Sequence, residues 1–89
     1  MSSKTNLVLQ VDNSVYKFLE KIPKKDAEVI FDVIENLPEN PFLGDIQKIK
    51  GEENSWRRRV GNYRIFYEII PKENLIYVYE AKRRTSNTY

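Results

Sequence analysis

The hydrophobic pattern changes period along this chain. Leu7, Leu9 and Val11 alternate with Asn6, Val8 and Gln10, which predicts a short strand over residues 5–11. Asp12, Asn13 or Ser14 can then cap a helix whose apolar positions, Val15, Phe18, Leu19 and Ile22, recur at helical spacing. Pro23 ends that helix and, because proline suits a first turn, also opens a second. In the second helix Ala27, Ile30, Phe31, Ile34 and Leu37 form an apolar stripe, with Lys24, Lys25, Glu28, Asp32 and Glu35 facing water. The short link predicts an antiparallel helical hairpin. Prolines and a glycine mark residues 38–45 as loop, Ile46 and Ile49 with Lys48 and Lys50 form an ambiguous piece, and residues 51–55 are a further loop.

From Trp56 the period becomes two. Runs of β-branched, aromatic and arginine residues flank Gly61-Asn62, a pair that tolerates positive φ at both central positions of a tight hairpin. In that register Val60 faces Tyr63, Arg59 faces Arg64, Arg58 faces Ile65, Arg57 faces Phe66 and Trp56 faces Tyr67. A turn over residues 71–74 leads to a last strand, Leu75 to Ala81. Pairing Ile70 with Leu75 sets Glu68 against Tyr77, Phe66 against Tyr79 and Arg64 against Ala81, with Arg83 one step beyond on the arginine face.

The sheet then has two surfaces. One carries Trp56, Val60, Tyr63, Ile65, Tyr67, Ile69, Ile76 and Val78 and is the bed for the two helices. The other interleaves Arg57, Arg59, Arg64 and Arg83 with Phe66, Glu68, Tyr77 and Tyr79, a combination suited to holding phosphates while stacking bases. Arg58 shares parity with the core face and is expected to snorkel at an edge.

Charge sharpens this division. Residues 1–47 carry five basic and eight acidic side chains, a net of −3, whereas residues 48–89 carry ten basic and five acidic, a net of +5. Like charges opposed across a ladder repel, so setting Arg59 against Arg64 costs stability that a polyanion would return. The plainer alternative is a solvated basic face. The basic end, Lys82-Arg83-Arg84 through Tyr89, reads either as more of the same site or as a frayed tail.

Composition removes much other chemistry. The 89 residues read as one domain with neither histidine nor cysteine, which excludes histidine acid–base catalysis, histidine-dependent triads, thiolate zinc sites and disulfides. No apolar run approaches the roughly 18–20 residues that span a bilayer, so no membrane role and a cytoplasmic location are expected. The available tools are arginine, lysine, tyrosine and Glu68. They suit cleavage of RNA by its own 2′-hydroxyl, where the substrate supplies the nucleophile and the protein orients it, stabilises the phosphorane and helps move protons.

The order of elements, the Trp56–Glu68 segment and the Lys82-Arg83-Arg84 tail ending in Tyr89 resemble the RelE/ParE toxin superfamily, on its RelE side, from Leu7 onward. The resemblance implies a small α+β domain spanning residues 1–89, β-α-α-β-β-β, with a twisted antiparallel sheet and two helices packed on one face. It implies a toxin of a type II toxin–antitoxin system that cuts messenger RNA in the ribosomal A site, without metal or cofactor, and that a cognate RelB-like antitoxin neutralises. Carried over by motif, Arg64 and Arg83 would stabilise the scissile phosphate. Arg57 and Arg59 would contact phosphate or aid proton transfer, and Tyr89 would stack on a base or act as base. Lys48, Lys50, Arg58, Phe66, Tyr79, Lys82 and Arg84 are the expected surrounding RNA contacts. Some relatives carry lysines where this chain has Arg57 and Arg59, so a lysine base at those two positions is not available; a tyrosine or a lysine elsewhere whose pKa neighbouring cations lower is the candidate. A ParE-like DNA gyrase inhibitor and a non-catalytic RNA-binding domain of the same fold remain the alternatives.

Overall fold

The computed structural model describes residues 7–84. Strand β1 (Val8–Val11) leads into helices α1 (Asn13–Glu20) and α2 (Lys24–Asn36). Strands β2 (Asp45–Lys48), β3 (Ser55–Val60), β4 (Tyr63–Ile70) and β5 (Leu75–Arg83) follow, and the sheet is ordered β1-β5-β4-β3-β2.

Local chemistry explains the helix starts. Asp12 has extended backbone and its Oδ2 accepts from the Ser14 N–H at 3.0 Å and the Ser14 hydroxyl at 2.6 Å, capping α1. Those bonds, with a third from Tyr77, hold the Asp12 carboxyl below its ordinary pKa. Pro23 occupies the N-cap of α2, where its missing N–H costs nothing.

The core lies between the helices and one face of the sheet: Val15, Ile30, Ile34 and Leu37 meet Ile65, Tyr67, Ile76 and Val78, all fully buried. Tyr67 is the largest of these side chains, and its hydroxyl donates to the Pro41 carbonyl, tying the long loop to the sheet. Burial pushes that phenol up to about 12. Phe31 departs from the expected stripe. It stays 39% exposed because Ile30 and Ile34 take the line facing the sheet and Phe31 is turned about 100° from Ile30.

Three expectations are corrected. The ambiguous piece around Ile46 is strand β2, made so by antiparallel pairing with β3, which sets Asp45 opposite Arg59 and Gln47 opposite Arg57. The sheet is mixed rather than antiparallel throughout, since β1 runs parallel to β5; the helix pair carries the chain away from β1, and the β3–β4–β5 meander ends with β5 in the same sense. The hairpin turn takes positive φ at Gly61 only, at +57°, rather than at both central positions.

The β3–β4 register matches expectation at every pair from Trp56–Tyr67 to Val60–Tyr63. The β4–β5 register matches from Ile70–Leu75 to Tyr67–Val78, then slips by one residue at a bulge. Beyond it Phe66 pairs with Glu80, Ile65 with Ala81, Arg64 with Lys82 and Tyr63 with Arg83.

Candidate functional site

Strand alternation sends the side chains neighbouring the buried Ile65 and Tyr67 to the face the helices leave open. Arg57, Arg59, Arg64 and Phe66 stand there together, as the paired positions of β3 and β4 require. Two partners on β2, both missed by sequence reasoning, hold the first two. The Gln47 side-chain carbonyl accepts from Arg57 Nη2, and Asp45 Oδ2 lies 3.6 Å from Arg59 Nη1. The only signal for them was the polar–apolar alternation of Asp45, Ile46 and Gln47, too short to name a strand.

The cluster is electrostatically unfinished. Arg57, Arg59 and Arg64 each keep a buried Nε without a hydrogen-bond partner, as Arg58 does on the helix side. Burial, then the charges of Arg64 and Arg59, lowers the Arg57 pKa from its ordinary value. Arginine stays protonated at any ordinary pH, so this records burial and then crowding of cations rather than a base.

The bulge redistributes the tail residues. Lys82, rather than Ala81, stands opposite Arg64, its Nζ 5.3 Å from the Phe66 ring centre and 3.8 Å from Glu80. Arg83 is not on the arginine face by register: the one-residue slip pairs it with Tyr63, whose ring its guanidinium overlies at 5.3 Å. Its Nη1 donates to the Tyr63 hydroxyl at 3.4 Å, and that hydroxyl donates to Asp26 Oδ2 at 2.6 Å. The bond to Asp26, with burial, raises the Tyr63 pKa. A line of contacts thus runs from α2 through Tyr63 to Arg83, and Tyr63 and Asp26 join the residues missed in the sequence.

Arg83 still reaches the site by position at the sheet's end. With Asn62, Arg64 and Arg84 it lines an open cleft of about 410 Å3. Arg84 is held there by the hairpin turn, its N–H donating to the Asn62 carbonyl at 2.7 Å and its Nη1 to the Gly61 carbonyl at 3.2 Å. Three guanidiniums around one opening can grip a phosphate from several sides.

Other expected contacts sit elsewhere. Arg58 is on the helix side, its guanidinium beneath Gly44, where a hollow is shared with Asp32, Asn36 and Asn40. Lys48 pairs with Trp56 and lies 6.0 Å from its ring, also off the arginine face. Lys50 is in the following turn beside Glu52 and Glu53. Tyr79 lies by Phe66, its ring centre 6.3 Å away. Tyr89 lies outside the described residues. Among the described residues no group of three or more acidic side chains is placed to hold a metal ion, and no helix is long and apolar enough to cross a membrane.

Known proteins share this fold. The chain is 27% identical over 79 residues to RelE1 of Methanocaldococcus jannaschii, covering 85% of this chain and 88% of that one. A chain of the RelB-RelE antitoxin-toxin complex from Methanococcus jannaschii aligns at 30% identity with a TM-score of 0.69, over 84% of this chain and 90% of that one. The archaeal RelE-RelB complex from Pyrococcus horikoshii OT3 contains a chain of the same fold, with TM-score 0.80 at 23% identity, over 93% of this chain and all of that one. The model of the family described as the ParE toxin of type II toxin-antitoxin systems, parDE, matches residues 9–85. With a match that runs from the first strand past the arginine cleft, the chain belongs to this family of the RelE/ParE superfamily and is a type II toxin.

Proposed function

We propose that this toxin is an endoribonuclease that cuts messenger RNA on the ribosome, using the RNA's own 2′-hydroxyl. The observation that carries the reading is the cleft between Arg64, Arg83 and Arg84, backed by Arg57 and Arg59 with unpartnered Nε donors. A scissile phosphate in that cleft meets cations that strengthen their hold as charge builds on the phosphorane. The 2′-oxygen bonds to phosphorus, the bond from phosphorus to the 5′-oxygen breaks, and one proton leaves the nucleophile while another reaches the leaving group. The arginines supply charge and orientation rather than a base. Tyr63 and Tyr77 are poor bases too, since the hydrogen bond to Asp26 raises one pKa and that to Asp12 the other. Tyr89 is the residue proposed for proton transfer.

Contacts to phosphate carry little sequence information, so such a site depends on the ribosome to present and bend its substrate. A RelB-like antitoxin is the proposed partner, as in the complexes from Pyrococcus horikoshii and Methanococcus jannaschii.

Mapping messenger-RNA 5′ ends after adding the protein to a translating extract tests the reading. Cuts in phase with codons, lost in Arg64→Ala, support it, and intact messages overturn it. The matching family carries the name ParE, which favours gyrase inhibition as the second reading. Inhibition of DNA supercoiling with no message cleavage would establish that one.

A further inference from the structure

Beside the arginine cleft, three aromatic rings run in a row along the open face. Phe66 and Tyr79 have ring centres 6.3 Å apart at 41°, and Tyr79 and Tyr77 repeat the spacing at 37°. The bulge creates this row. Because pairing slips between Phe66 and Tyr67, Tyr79 falls between the positions facing them and its ring reaches both neighbours. Tyr77 is fixed at the far end, where its hydroxyl donates to Asp12 Oδ1 at 2.9 Å. All three rings are half-buried rather than covered.

We propose that this row is a stacking track for unpaired bases, one base to a ring, continuing from the phosphate in the arginine cleft. The proposal rests on the reading that the substrate is RNA, and charge argues for single-stranded nucleic acid as occupant. Phe66 stands two residues along β4 from Arg64, about 7 Å at strand rise, and Lys82 sits over its ring. A strand anchored at Arg64 therefore reaches the first ring within a short step. The 6.3 Å spacing is nearly twice the roughly 3.4 Å rise between stacked bases, so the track fits a strand splayed open rather than one kept helical. Two carboxylates flank the rings, Glu68 paired with Tyr77 and Glu80 paired with Phe66. They keep the sugar–phosphate backbone off the track and leave bases as the groups that lie on it. Every base has a π-face, so the track adds affinity with little sequence preference.

The test uses the whole protein and a short RNA methylated at every 2′-hydroxyl, with 2-aminopurine at successive positions. Since this RNA cannot be cut, binding is read apart from cleavage. Stacking is expected to quench the fluorescence of the bound wild-type complex at adjacent positions on one side of the anchored phosphate. Phe66→Leu and Tyr79→Leu should each weaken binding on the order of tenfold with an unchanged salt slope, while Tyr79→Trp retains affinity. Arg64→Ala should instead flatten the slope of log Kd against log salt by about one. Absent quenching, or leucine variants that bind like wild type, overturns the track, and because quenching is read on the unmutated protein the result does not depend on how the variants fold. Leucine variants that lose only an antitoxin, keeping RNA affinity, overturn it in favour of a protein partner. Quenching without cleavage on ribosomes keeps the track and removes the nuclease; cleavage without quenching does the reverse.

Discussion

The two faces of the sheet are built from alternate residues of the same strands, yet they answer to different demands. On the helix side Ile65, Tyr67, Ile76 and Val78 are fully buried, and every one contacts the core. On the other side Arg57, Arg59 and Arg64 crowd together, Arg59 directly opposite Arg64. The first face gives up water to gain packing, while the second retains like charges that the fold itself does not need. Strand alternation lets one short sequence carry both, because moving along a strand by one residue changes faces entirely. Stability should therefore reside on one side and activity on the other.

The largest effect should come from the buried face. Ile65→Ala should cost about 2–5 kcal/mol, much of the stability of a domain this size, and urea unfolding would measure it. The comparison breaks if the open face costs as much. Arg64→Ala is expected to reduce message cleavage by about 10²–10³-fold, the effect of removing one transition-state charge donor, while leaving stability within about 0.5 kcal/mol. Relief of the repulsion from Arg59 should move the melting temperature upward rather than downward. A large fall would mean that the arginines hold the fold together.

Tyr63 belongs to the buried face yet holds Arg83 beside the cleft, and Tyr63→Phe sharpens the boundary. The ring keeps its edge contact with Phe18 and its place under Arg83, but the hydroxyl link from Arg83 to Asp26 is lost. Cleavage should fall severalfold through kcat with the fold retained, as Arg83 is held less firmly at the cleft. An unchanged rate would show that ring stacking alone positions Arg83.

The sequence made the faces legible but not the second half of the last register. Gly61-Asn62 between two patterned runs was enough to pair Arg59 with Arg64, because a two-residue turn leaves no freedom in register. Across β4 and β5 the turn at Pro71–Glu73 set Ile70 against Leu75 correctly, and the bulge then moved Ala81, Lys82 and Arg83 each to the opposite face from that expected. No residue announces that bulge, since neither glycine nor proline occurs from Leu75 to Arg83. Ala81, only 7% exposed, supplies the physical reason: the slip puts a small apolar residue into the core and turns Lys82 toward Arg64. Strand β2 escaped for another reason. Its four residues carry one apolar side chain, and only pairing with β3 gives them a conformation.

The smallest expected effect concerns pH and again separates the faces. Tyr67 on the buried side has its pKa pushed up to about 12 by burial, against about 10 in an unfolded chain. A proton is therefore held more tightly in the folded state, and its contribution to stability is complete below pH 10. Between pH 10 and about 12 the unfolded chain ionises at this position while the folded one does not, so stability should decline across that window. Tyr67→Phe should flatten the decline, although the bond to the Pro41 carbonyl is lost and stability at neutral pH drops. Thermal melts of both proteins from pH 8 to 12 would measure the difference in slope. Equal slopes would mean that Tyr67 is hydrated in the folded protein, and that the covered face is less closed to water than its side chains' burial implies.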